Sequence, residues 1–294
     1  MSNVSKHPIA IVLLLLSFVA ATLSAPSARA ADAVYPQASR IVSIGGSITE
    51  IIYALGAEGQ LAARDSTSMF PAQAETLPDV GYMRALSPEG VLSANPDLIL
   101  MEQNSGPPEA LEALRSAGVP LVTLPDDYSA EGIVSKIRTI GRVIGEDKKA
   151  EELAGHVSAQ LDAVRKQIAG TDRKKKVMFI ISMRGGKIIA SGEDTAASSI
   201  IALAGGENAI SGYTGYKQLV DESVINAAPE VILMMDRRGD HAADNSELFS
   251  HPAIASTPAA KGAHVIRMNG LYLLGFGPRT AEAIRELHTR IYAD

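Results

Sequence analysis

Short runs of aliphatic and β-branched residues alternate along this chain with segments whose apolar positions recur every three or four residues. Arg40-Ile-Val-Ser-Ile44 predicts a strand ending in Gly45-Gly46-Ser47, and Thr49 to Leu55 predicts a helix closed by Gly56. Leu98 to Met101, after Pro96, predicts a buried strand; Pro108 to Ala117 predicts a helix stopped by Gly118, and Leu121 to Leu124 the next strand. A second set follows the same plan. Strands are expected at Val177 to Ile181, Val231 to Met235 and Val265 to Met268, with helices at Thr195 to Ala204, closed by Gly205-Gly206, and from Pro278 to Ala293. Such alternation implies parallel β-α-β units whose ligands lie at the carboxyl ends of the strands.

Between the sets, Asp147 to Ala169 is a stretch of about 23 residues without proline, which predicts one long helix joining two lobes. A weak repeat supports two equivalent lobes. Ser87-Pro-Glu89-Gly-Val-Leu-Ser-Ala-Asn-Pro96-Asp-Leu-Ile-Leu100 overlays Asp221-Glu222-Ser-Val-Ile-Asn-Ala-Ala-Pro229-Glu-Val-Ile-Leu233, with Glu89 and Glu222, and Pro96 and Pro229, each 133 residues apart. The expected architecture is α/β: two Rossmann-like lobes with parallel-type sheets, residues 31–145 and 171–294, bridged by one long α-helix at 146–170.

The first 30 residues differ from the rest. Lys6 precedes an apolar run from Ile9 to Leu23, about 15 residues, and Ala28-Arg29-Ala30 supplies a small-x-small cleavage site, the pattern of a secretory signal peptide over residues 1–30. A spanning helix needs about 20 apolar residues, so an exported, periplasmic mature chain is expected. The 294-residue chain has no cysteine, which excludes a lipidated N-terminal Cys, a disulfide framework and any thiolate metal site. Beyond residue 30 there are 25 basic against 33 acidic residues, and aromatics make up 4% with no Trp. That field offers nothing broad to phosphate backbones and few rings to bases, so nucleic acid is not an expected partner.

Four stretches carry a resemblance: Arg40-Ile-Val-Ser-Ile-Gly-Gly-Ser-Ile-Thr-Glu50-Ile-Ile-Tyr53-Ala-Leu-Gly56; Asp65-Ser-Thr-Ser-Met-Phe-Pro71; Leu77-Pro-Asp-Val-Gly-Tyr82-Met-Arg84-Ala-Leu-Ser-Pro-Glu89-Gly; and Gly270-Leu-Tyr-Leu-Leu-Gly-Phe-Gly-Pro-Arg279. Over nearly all of residues 40 to 292 the chain resembles the substrate-binding proteins of the vitamin B12, iron-siderophore and haem ABC importers. The Gly-Tyr-Met-Arg and Gly-Leu-Tyr-Leu-Leu-Gly-Phe-Gly-Pro-Arg stretches are similar to the haem-binding branch. The resemblance implies haem as the transported ligand, an ABC permease dimer as partner, an outer-membrane haem receptor upstream, and a monomer.

Haem needs a broad apolar slot, cations for its propionates, and an axial donor for iron. The haem branch places a ligating Tyr just before the Pro of the Asp-x-Thr-Ser segment, where this chain has Phe70. A His that some relatives bring from the second lobe would fall near Ser182-Met183-Arg184-Gly185-Gly186, and none stands there. Met69 beside the vacant place and Met183 facing it from the other lobe are therefore the expected iron ligands, or else apolar lining. Tyr82, Tyr213, Tyr216 and Tyr272 are further oxygen donors, His241 is a further nitrogen donor, and Arg84, Arg184 and Arg237 are the expected propionate partners. The resemblance also assigns Glu89 and Glu222 to docking on the two permease copies. A ferric siderophore or a corrinoid is the alternative guest. A secreted enzyme using the same cleft is a further alternative, but no nucleophile-base constellation, G-x-S-x-G elbow or H-E-x-x-H pair occurs, so no enzyme is expected.

Overall fold

The computed structural model describes residues 33–236 and 244–293. The expected leader, Arg237 and His241 lie outside the described residues. Strand β1 (Ile41–Ile44) is wholly buried and turns through Gly45 into helix α1 (Gly46–Ala54). Gly45 has φ of 121°, a conformation side chains disfavour, and the place a Cβ would take is filled by the Glu102 side chain. β2 (Leu61–Arg64), α2 (Pro88–Leu92), β3 (Leu98–Glu102), α3 (Pro108–Ser116) and β4 (Leu121–Leu124) complete the first lobe, a sheet in the order β2-β1-β3-β4 with every pair parallel.

Two helices then leave the lobe. α4 (Ala130–Ile144) is capped by Ser129, whose Oγ accepts the Gly132 N–H at 2.9 Å, and it ends at Gly145 in the left-handed region. α5 (Asp147–Ile168) is the expected bridge.

The second lobe contains β5 (Lys176–Arg184), β6 (Lys187–Ser191), α6 (Ala196–Leu203), β7 (Glu207–Asn208), β8 (Tyr216–Gln218), α7 (Asp221–Ala227) and β9 (Val231–Asp236). After the undescribed residues come α8 (Asn245–Ser250), α9 (Pro252–Ala255), α10 (Pro258–Lys261), β10 (Val265–Asn269), α11 (Gly270–Leu274) and α12 (Thr280–Ile291). The trio β10-β9-β5 is parallel, as the alternation predicts, while β6 and β8 extend the sheet in antiparallel fashion. The mixed sheet has a local cause. Gly185 and Gly186 have φ of 57° and 72°, so the chain reverses tightly between β5 and β6 instead of crossing over through a helix.

The weak repeat has a backbone counterpart. Asn95 and Ala228 both adopt φ of 46° immediately before Pro96 and Pro229, so each lobe leaves its helix and joins its strand by the same kink. Between the lobes the core is continuous. Ala150, Ala154, Val157, Leu161, Val164 and Ile168 form a buried stripe on α5 that packs against α4 and α12, in one cluster with Ile48, Ile51 and Ile52 of α1 and Ile284, Leu287 and Ile291 of α12. Each large aliphatic side chain so buried contributes about 1.5–3 kcal/mol. Sliding one lobe over the other would expose several of them together.

Candidate functional site

The carboxyl ends of the first sheet build one wall of the inter-lobe cleft. After β2, buried Asp65 organises the loop that follows. Its carboxylate accepts the Gly45 and Thr67 N–H groups at 3.0 Å each, the Thr67 hydroxyl at 2.7 Å and the Ser68 hydroxyl at 2.8 Å. This loop lies beside a second one. The Ser66 N–H donates to the Gly81 carbonyl at 2.9 Å and Arg64 pairs with Asp79 at 2.6 Å. The paired loops present Met69, Phe70 and Tyr82, which are 44%, 38% and 46% exposed, three of the six exposed large apolar side chains among the described residues. Arg84 is exposed on the same loop as Tyr82.

Below that lip is a polar floor. The Ser47 hydroxyl donates to Glu102 Oε1 at 2.6 Å and accepts from Lys136 Nζ at 3.0 Å, with Lys136 and Glu102 3.8 Å apart. At the end of β4, burial and then the Glu102 charge push the Asp126 carboxyl up to about 6, against the pull of Lys136 and Arg84. Asp126 Oδ2 is enclosed with no hydrogen-bond partner. Burial, with the Asp126 charge, pushes the Tyr128 phenol up to about 12. The Tyr128 ring crosses to the other lobe and lies 5.1 Å from Phe276. Tyr216, from the second lobe, is also raised by burial, eased by a hydrogen bond with Thr195 and by the Arg84 charge. Arg84 therefore acts on groups of both lobes.

A second inter-lobe contact closes one side. Arg279 donates from Nε and Nη2 to both oxygens of Glu50, at 2.9 and 2.8 Å. Its guanidinium carbon lies 3.4 Å from the Phe70 ring centroid and 5.2 Å from that of Tyr272. Met69, Phe70, Leu271, Tyr272 and Arg279 line a cavity of about 340 Å³ at this point.

The structure thus gathers Met69, Phe70, Tyr82, Arg84 and Tyr272 around the cleft. Arg184 is exposed on the β5–β6 turn, whose Gly186 carbonyl lies 3.0 Å from His251 Nε2. Met183 is elsewhere, contrary to the expectation that it faces Met69. It is 6% exposed and packs with Met178, Ile180 and Ile188 in a separate core cluster. A register shift between Ile180 and Ser182 is the reason: it puts Met183 on the same face as Met178 and Ile180, where regular alternation would have put it on the opposite one. Met183 therefore serves as packing in that cluster. Glu89 and Glu222 are exposed in the first turns of α2 and α7. Sequence reasoning missed the Glu50–Arg279 pair and the Lys136–Ser47–Glu102 floor. Gly-Pro-Arg279 was visible, but no local pattern names a partner 229 residues away.

Comparison with known proteins agrees with this fold. Residues 41–270 match the family model described as periplasmic binding protein. Periplasmic haem-binding protein RhuT from Roseiflexus sp. RS-1 is similar, with 37% identity and a TM-score of 0.82, over 87% of this chain and 98% of that one. The periplasmic haem-binding protein HutB of Vibrio cholerae shares 33% identity with a TM-score of 0.75, over 86% of this chain and 99% of that one. A vitamin B12-binding protein of Vibrio campbellii is 28% identical over 251 residues, 85% of this chain and 88% of its own. Family membership carries an extracytoplasmic setting and an ABC permease partner. With its two-lobed α/β fold and a ligand cleft at the strand ends, the chain belongs to the periplasmic binding protein family, as the non-enzymatic substrate-binding component of an ABC importer.

Proposed function

We propose that this protein captures haem in the periplasm, after export through residues 1–30, and delivers it to the permease. The observation that carries the reading is the first-lobe lip, where Met69, Phe70 and Tyr82 expose apolar surface and Arg84 is exposed two residues beyond Tyr82 on the same loop. A flat tetrapyrrole with two carboxylates needs that combination. Tyr82 is the iron ligand in this reading. Tyr82 stands 46% exposed on the lip, whereas the Tyr213 hydroxyl donates to the Ala190 carbonyl at 3.1 Å and the Tyr272 ring covers Arg279. Met69 supplies apolar wall beside it, and Arg84 and Arg184 hold the propionates.

Titration of the purified chain with haemin, monitored at the Soret band, tests this. The wild type should give a phenolate-ligated ferric spectrum. Tyr82→Phe should change the spectrum and weaken binding about tenfold or more, a loss of about 1.4 kcal/mol. An unchanged Tyr82→Phe spectrum, with a change in Met69→Leu, would transfer ligation to the thioether. A corrinoid is the second reading, favoured by the 28% identity to a vitamin B12-binding protein. Retention of cyanocobalamin in preference to haemin would select it.

A further inference from the structure

Glu50 sits in α1 of the first lobe and Arg279 just before α12 of the second, 229 residues apart in sequence. Their pair is sheltered: the Glu50 side chain is 6% exposed and the Arg279 side chain 24%. Both carboxylate oxygens are engaged by one guanidinium edge, and rings from both lobes cover it, Phe70 from the first and Tyr272 from the second. An ion pair with water held off is stronger than an exposed one and suffers less screening by salt. Arg279 is thus already neutralised, and its bidentate edge is spent on Glu50 and not available to a ligand carboxylate. The covering rings, by contrast, border the cavity of about 340 Å³ and leave Phe70 38% exposed.

We propose that Glu50 and Arg279 form an inter-lobe clasp that presets the width of the cleft, with Arg279 a positioning residue that holds Phe70 and Tyr272 as ring walls for a flat ligand. Arg279 does not bind the ligand's carboxylates. Phe70 stands where the haem branch has Tyr, and in this chain its ring roofs the clasp. The ligand half of the inference rests on the haem reading; the clasp itself does not.

The absence of cysteine allows a direct test, because Ser93→Cys with Asn226→Cys places one spin label on an exposed position of each lobe. Pulsed electron-spin distance measurement should give one narrow distribution in the wild type, unmoved by haemin to within about 1 Å. Glu50→Gln and Arg279→Gln should each broaden it. Phe70→Leu keeps both charges but admits water, so its distribution should broaden as salt rises from about 0.05 to about 1 M while the wild type's does not. Distributions equal to the wild type's in all three variants overturn the clasp.

Haemin affinity supplies the second arm. Glu50→Gln and Arg279→Gln should weaken binding by similar factors, about tenfold, and the double variant should be no worse than either, the signature of one shared interaction. The preference for haemin over its dimethyl ester should survive in all three. If Arg279 held a propionate directly, Glu50→Gln would release the guanidinium and tighten binding, and Arg279→Gln would abolish that preference; either result overturns the positioning role. Failure of the wild type to retain haemin would count against the haem reading alone, since the distance measurement judges the clasp without ligand.

Discussion

Asp126 ends β4 with one carboxylate oxygen enclosed and unpartnered, beside Glu102 and Lys136. Its carboxyl is raised to about 6, whereas the unfolded chain releases that proton near pH 3.9. Between those values the folded protein holds a proton that the unfolded one has lost. The stability it confers is therefore complete below about pH 4 and lost as the pH rises through about 6. Asp126→Asn, which mimics the protonated form, should raise the thermal unfolding midpoint at about pH 7.5, with the gain shrinking towards zero near pH 4. An equal gain at both pH values would mean that the residue acts through packing. No sequence pattern marks this group, because its environment is assembled from Glu102 at the end of β3, Asn104 just after it, Lys136 in the middle of α4 and Arg84. Tyr82 and Arg84 were legible for the opposite reason, being neighbours on one loop.

The elements that were legible are those whose signal is local. β1, β3, β4, α3 and α6 follow from apolar runs, apolar spacing and glycine stops, α5 from a long stretch without proline, and Gly205-Gly206 after α6 ends that helix as expected. β2 was missed because Leu61-Ala-Ala-Arg64 has no β-branched residue. α4 was missed although Ile133, Ile137, Ile140 and Ile144 recur at helical spacing behind the Ser129 cap. The antiparallel β6 follows from the Gly185-Gly186 reversal, whereas the register shift that turns Met183 inward depends on one extra residue in β5, which periodicity does not reveal. The repeat gives a prediction at this scale. Ala228 closes α7 at φ 46° and ψ 53°, a left-handed conformation costing a non-glycine residue about 1 kcal/mol. Ala228→Gly should raise the unfolding midpoint by about 2 °C, and Asn95→Gly, replacing a residue that tolerates this region, by less. Destabilisation by Ala228→Gly in calorimetry would mean that the methyl group's packing outweighs the strain.

The whole molecule carries two matched acidic positions on helices that occupy corresponding places in the lobes. Glu89 in α2 and Glu222 in α7 are exposed, far from the Lys136 floor in role, and 133 residues apart in a repeat whose kinks also match. We propose that they contact the two halves of the permease, since a pseudo-repeat lets one chain meet a twofold partner. Glu89→Ala and Glu222→Ala should each lower uptake into vesicles carrying the cognate importer about tenfold, with haemin affinity unchanged. Reduced affinity in either variant would place that residue in ligand binding instead.

The apolar stripe on α5 joins the interiors of both halves into one solid body. A protein built this way keeps almost the same silhouette whether loaded or vacant, so the transporter receives little information from shape. A dock that reads shape alone should then accept vacant and loaded molecules alike, so the ratio of the two in the surrounding compartment should set the import rate.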